Sequence, residues 1–80
     1  MPSRQELERM LPTEVAVLCQ RVADNPGAYL ASAAEEAGRL RLEWAALQSQ
    51  PNPNYALQRK IEQQKDHVRR RMIEFLTENL

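Results

Sequence analysis

A stripe of apolar side chains organises the middle of the chain. Apolar residues recur every three or four positions over residues 30–47, a spacing that places side chains on one face of an α-helix. This pattern predicts a helix over about residues 26–50, with Asn25 as its N-cap and Pro26 in its first turn. The stripe consists of Leu30, Ala33, Ala37, Leu40, Trp44 and Leu47.

A second stripe follows a polar break at residues 49–54, in which Asn52 and Pro53 repeat the cap-then-proline pattern. It predicts a helix over about residues 53–79. The inward positions of this helix are Leu57, Ile61, Val68, Met72 and Phe75, and Gln64 and Lys65 interrupt them. The two helices therefore predict an all-α fold built on an antiparallel helical hairpin.

Side-chain sizes suggest a register for the hairpin. The stripes match when Trp44 lies opposite Ile61, and small residues then meet larger ones where Ala37 lies opposite Val68 and Ala33 opposite Met72, as interdigitated packing requires. In this register Leu40 faces the polar residues 64–65. That polar pair is either a buried layer that fixes the register or a solvated edge of the seam.

Residues 1–24 predict an N-terminal helical arm, which makes the single domain of residues 1–80 similar to a three-helix bundle. Ser3 and Glu6 fit a capping box, and Pro12 kinks or ends the helix that follows. The arm is therefore one kinked helix or two. Small residues on a second face of the first hairpin helix predict close approach by the arm or by a second copy of the chain. That face comprises Ala31, Ala34, Gly38, Leu42 and Ala45.

The charge and composition of the chain argue against two classes of function, nucleic-acid binding and membrane anchoring. The chain has 11 basic and 11 acidic residues, a balance that argues against nucleic acid and against a polybasic membrane anchor as partners. The charge is uneven, with five basic and seven acidic residues in 1–50 but six and four in 51–80. A lone cysteine and the lack of a long apolar run predict a cytoplasmic protein with no membrane segment.

No catalytic constellation is visible in the sequence. His67 is the only histidine and is interpreted as a surface residue, and two glycines cannot build a phosphate-binding loop. Cys19 lies on the apolar face of the arm and is interpreted as a small buried hydrophobe. We therefore predict that the protein is not an enzyme and has no catalytic, metal-binding or cofactor-binding residues.

Several side chains are candidates for partner binding. Trp44 on the seam is either a core residue or a partly exposed anchor. A strip on the outer side of the second hairpin helix is covered either by the arm or by another chain. The arginines at 69–71 are mostly answered by acidic neighbours on the same helix, and their alternative role is to contact phosphate or an acidic partner. The candidate residues are Trp44, Leu42, Tyr55, Ile73, Leu76, Arg69 and Arg70.

These features favour a non-enzymatic protein-interaction module, such as a small adaptor, chaperone or inhibitor, whose partner is another protein or its own copy in a homodimer. The alternatives are a nucleic-acid-associated factor that uses the basic last helix, or a helical assembly subunit. Residues 30–76 resemble the small co-chaperones of type III secretion needle subunits. Both have an alanine-rich helix, a short polar loop and a second helix that contains a tyrosine, here in Tyr55-Ala56-Leu57-Gln58. The resemblance implies the assembly role, and the arm at residues 1–24 departs from it.

Overall fold

A computed structural model describes residues 2–51 and 54–80, which form four α-helices and no strand. The helices are α1 (Arg4–Arg9), α2 (Pro12–Ala23), α3 (Ala31–Gln48) and α4 (Tyr55–Asn79). The predicted all-α class is confirmed. Within these ranges, no helix has the length and apolar character needed to cross a membrane.

The N-terminal arm contains two separate helices. The Ser3 hydroxyl accepts a hydrogen bond from the Glu6 N–H at 3.2 Å and caps α1. Leu11 has extended backbone angles, and Pro12 opens α2 at the first helical position, where its missing N–H costs nothing. The Glu14 carboxylate accepts from the Leu11 N–H at 3.0 Å. Of the two forms predicted for the arm, the structure therefore has the broken one.

The predicted start of α3 is wrong by about one turn. Asn25 belongs to the end of α2, because its N–H donates to the Val22 carbonyl at 3.2 Å. Its own carbonyl accepts from the Ala28 N–H at 3.1 Å and closes a turn. The N-cap of α3 is Leu30, which is extended at ψ 145° and 77% exposed, so this residue does not belong to the buried stripe.

The start of α4 is fixed by a side-chain cap. Asn54 accepts a hydrogen bond from the Leu57 N–H at 2.8 Å through its side-chain oxygen. The predicted cap at Asn52 and Pro53 lies outside the described residues. Leu57 itself is 37% exposed, so the first position of the predicted inward stripe is at the surface.

Helices α2, α3 and α4 pack against one another, and α1 lies on α4. A Cβ atom placed on Gly38 would lie 3.9 Å from the Cβ of Ala23, so α2 and α3 approach closely. Ala34 on the same face of α3 is buried. The middle of the small-residue face is therefore covered by α2 of the same chain, whereas Ala31 and Leu42 of this face are exposed. Arm and hairpin share one core.

The core confirms most of both apolar stripes. From α3 the buried residues are Ala33, Ala37, Leu40 and Trp44, with Leu47 half-buried; from α4 they are Ile61, Val68, Met72 and Phe75. The arm adds a second layer, formed by Leu7, Val15, Ala16, Cys19 and Val22.

The predicted register between α3 and α4 is wrong. The Lys65 ammonium lies 5.8 Å from the ring centroid of Trp44, one turn along α3 from the predicted position opposite Leu40. Arg71 Nη1 contacts Glu43 Oε2 at 2.8 Å, although the predicted register places Glu43 opposite position 62, so this contact indicates a shift in the same direction. Leu40 is buried, and Lys65 is only partly buried. The polar pair is therefore the solvated edge of the seam, with the lysine stem laid along the indole.

Cys19 is fully buried, and this burial raises the pKa of its thiol from 9.0 to about 12. The thiol therefore stays neutral in the folded chain at pH values where the unfolded chain forms a thiolate. The stability that follows from this difference is complete below pH 9 and is lost as the pH rises toward 12.

We expect this linkage to appear as a pH-dependent difference between the natural chain and Cys19→Ala. Ionisation of the unfolded thiol between pH 8 and 10 should lower the free energy of unfolding by about 1.4 kcal/mol in the natural chain only. Urea titrations of both chains at the two pH values measure the difference. Parallel changes in the two chains would contradict the burial of Cys19, because all other titrating groups are common to both.

Candidate interaction surface

An open groove lies between α3 and α4, and we call it the seam groove. It has a volume of about 590 Å³. Helical spacing places its α3 positions on the side of that helix opposite to the residues that α2 covers. The groove is lined by Glu43, Ala46, Leu47, Lys60, Gln63, Gln64, His67 and Val68.

The seam groove has an apolar floor and a polar rim. Its floor is formed by Ala46, Leu47 and Val68, of which Val68 is buried and Leu47 half-buried. The rim carries the side chains of Lys60 and His67, together with Glu43 and two glutamines. An apolar channel between two helices with hydrogen-bonding groups at its edges is the arrangement that receives the apolar side of a third helix.

The same face of α4 continues past the groove toward the C-terminus. Arg71, Glu74 and Glu78 follow His67 at helical spacing and so lie on the same side of α4. With Glu36 and Phe75 they line a second, smaller cleft of about 160 Å³. The Arg71–Glu43 ion pair spans the two helices between this cleft and the groove. The groove, the ion pair and the cleft together are called the seam face.

The two ends of the seam face carry opposite charge. Lys60 lies at the end where α4 begins. Three carboxylates, from Glu36, Glu74 and Glu78, line the cleft at the other end. The Arg71–Glu43 pair in the middle is neutral as a unit. The face is therefore basic at one end, neutral at its centre and acidic at the other end.

Three of the residues predicted to bind a partner are buried instead. Trp44 is 7% exposed and belongs to the core, together with Ile73 and Leu76. The outer strip of α4 is covered by the arm around Ile73, which lines a cleft together with Arg4 and Glu8 of α1, whereas Tyr55 of the same strip is exposed. For the covered part of the strip, the arm is therefore the alternative observed. These three side chains stabilise the fold and are not accessible to a partner of the folded chain.

Two other predicted residues are at the surface but apart from the groove. Leu42 on α3 is 63% exposed, and Tyr55 at the start of α4 is 76% exposed. Neither lines the seam groove. The rim residues Gln63, Gln64 and His67 were not predicted, because the groove is formed by two helices together and polar positions of one helix carry no signal of it.

The three arginines at positions 69–71 make three separate contacts. Arg69 Nη2 donates to the carbonyl oxygen of Glu8 at 2.6 Å and ties α1 to α4. Arg70 pairs with Asp66 at 2.9 Å on α4, as its spacing predicted. Arg71 crosses to α3. Successive helical residues diverge by about 100°, so the run does not form one basic face.

The described part of the chain has no cluster of side chains that could form a metal site. Residues 2–51 and 54–80 contain no group of three or more histidine, cysteine or acidic residues placed to hold a metal ion. His67 is exposed on the rim of the seam groove. Comparison of the chain with protein-family models, with curated proteins and with solved structures gave no match.

Proposed function

We propose that this chain is a non-enzymatic protein-interaction module that binds an amphipathic helix in the seam groove. The observation that supports the proposal is the apolar floor of Ala46, Leu47 and Val68, which the chain's own helices leave open. The other apolar faces of the hairpin helices are covered by α1 and α2.

The dimensions of the groove suit a helix. A groove of about 590 Å³ lies within the usual range of binding sites, roughly 300–1,000 Å³. A helix that lies along α3 and α4 would place residues i, i+3 and i+7 on the floor. Its flanking polar residues would meet Lys60 on one edge and Glu43 on the other.

The small floor implies a modest affinity. Three aliphatic side chains supply little apolar area, and ordering the partner offsets part of the gain. We expect dissociation constants in the micromolar range, about −8 kcal/mol in free energy. Such affinities suit a reversible adaptor, chaperone or inhibitor.

The arrangement of the basic residues favours a protein partner over nucleic acid. Each arginine of the run at 69–71 contacts an acidic side chain or a carbonyl oxygen of the same chain. Neutralising phosphates would require these contacts to be exchanged, and the balanced total charge supplies little attraction to a polyanion.

A photoreactive amino acid at Gln64 is expected to cross-link the chain to a polypeptide in the cells that naturally express it. Gln64 lines the groove, whereas Gln58 is exposed about 120° away around α4, does not line the groove and serves as the matched control position. Mass spectrometry of the adducts identifies the bound segment, which should be an amphipathic helix.

A substitution that fills the groove floor tests whether the cross-link from position 64 depends on the seam groove. Ala46→Arg places a charged chain on the floor and should reduce the Gln64 adduct by about tenfold, an effect of 1.4 kcal/mol. Ala28→Arg introduces the same side chain in the exposed loop before α3 and should leave the adduct unchanged. Equal yields at positions 64 and 58, or a yield unaffected by Ala46→Arg, would contradict the proposal.

A further inference from the structure

We infer that the seam face of this chain binds the seam face of a second copy, and that the two faces meet in a two-fold antiparallel dimer. The inference rests on the proposed function and names the partner of the same site. It follows from the charge order along the seam face, which is complementary to itself when one copy is reversed.

The charge order fixes where the two-fold axis lies. Lys60 precedes His67 by seven positions, and Glu74 follows it by seven, which corresponds to roughly 10 Å along α4 in each direction. An axis through the surface at His67 therefore brings Lys60 of one copy opposite Glu74 of the second copy. Symmetry repeats the contact, so each dimer contains two such pairs.

The centre of the face does not oppose this association. Arg71 and Glu43 neutralise one another within each copy at 2.8 Å. Gln63 and Gln64 flank the axis and can donate or accept hydrogen bonds across it. Arg39 lies between the two ends on α3 and lines neither cleft. The two-fold axis therefore brings together Lys60 of one copy and Glu74 of the second copy, which carry opposite charges.

The area of the face is close to what a dimer needs. From Lys60 to Glu78 it extends roughly 27 Å along α4, and two adjacent helices make it about 20 Å wide. A projected area of about 540 Å² compares with the roughly 800 Å² of accessible surface that each partner loses in an interface of standard size. The whole chain has 5553 Å² of accessible surface, so this share is reasonable for a small protein.

Sedimentation equilibrium of the full chain over a concentration series tests the dimer. We expect a reversible monomer–dimer equilibrium that weakens by about tenfold between about 20 mM and about 500 mM salt, since exposed charge pairs are screened. Lys60→Glu should weaken the dimer by about tenfold or more, and so should the double variant Glu74→Lys/Glu78→Lys. Circular dichroism confirms that each variant is folded.

The decisive sample is an equimolar mixture of the two charge-reversed variants. Opposite charges then face one another again, so a heterodimer should form with an affinity near that of the natural chain. Arg59→Glu is the control, because it makes the same charge change about 100° away from Lys60 on α4 and should leave the dimer intact.

The outcomes separate this inference from the proposed function. A chain that stays monomeric at every concentration overturns the dimer. A dimer whose affinity is unchanged by both charge reversals overturns the two-fold arrangement, and so does a mixture of the two variants that fails to associate. A monomer whose Gln64 probe cross-links to a different protein overturns the second copy as occupant and leaves the groove as a binding site. Loss of dimer in both reversed variants, with recovery in the mixture, supports the two-fold arrangement.

Discussion

Leu40→Asp is expected to unfold most of this protein. Leu40 is 1% exposed at the centre of the core, where α3 meets the other helices. Removing a buried leucine side chain costs about 2–5 kcal/mol, and the buried carboxylate adds a further penalty because nothing there can pair with it. A domain of 80 residues has roughly 4–12 kcal/mol of stability in total. The substitution therefore removes most or all of it.

Circular dichroism and thermal melting measure this effect. We expect the melting temperature of Leu40→Asp to fall by about 20 °C or more, or the helical signal to be lost at room temperature. Leu42→Asp is the matched control, since it makes the same change in the same helix at a residue that is 63% exposed. It should shift stability by about 0.5 kcal/mol or less. Similar melting curves for the two variants would show that the assignment of the α3 core face is wrong.

Leu7→Ala is expected to release α1 from α4. Leu7 is fully buried and is the one buried residue of α1, so its truncation removes about 2–5 kcal/mol from the attachment of this helix. A helix of six residues does not persist in water without packing. The Arg69 contact to the Glu8 carbonyl is exposed and cannot hold the segment alone.

Limited proteolysis with trypsin reads out this release. Cleavage after Arg9 should become at least about tenfold faster, because it follows the population of the detached arm. Leu11→Ala, at a residue that is 65% exposed two positions beyond the cleavage site, should cleave at the natural rate. If Leu7→Ala were as resistant as the natural chain, the packing of α1 on α4 would be refuted.

The sequence predicted the helices well because their signals are local. Apolar spacing identified α3 and α4, and Pro12 identified the break in the arm. The start of α3 was missed because Leu30 continues the apolar period by one step although its backbone is extended. Periodicity cannot distinguish a leucine at an N-cap from a leucine in the first turn.

The spacing of apolar residues does not determine the register between α3 and α4. Aligning the two apolar stripes placed Ile61 opposite Trp44, yet Lys65 lies over the indole and Arg71 reaches Glu43. Long charged side chains bridge positions a turn apart, and their energies are not visible in a pattern of apolar residues. A shift of one turn keeps the same faces together, which explains why the core was largely correct.

The candidate site was the least predictable part. Apolar residues on a second face were natural candidates for a partner, but Ile73 and Leu76 are buried in the core of the folded chain. The groove depends on how α3 and α4 pack against each other and on which side of α3 is covered by α2. Both are properties of the assembled bundle, so Lys60 and Gln64 could be recognised only in the structure.

The position of Trp44 gives the chain an intrinsic optical reporter. It is the single tryptophan, it is 7% exposed, and it lines clefts shared with α2 on one side and α4 on the other. The emission of an indole depends on the polarity around it and on nearby charges such as the Lys65 ammonium. Separation of any of these three helices should therefore shift the fluorescence of one residue, and the bundle can be followed without an attached dye.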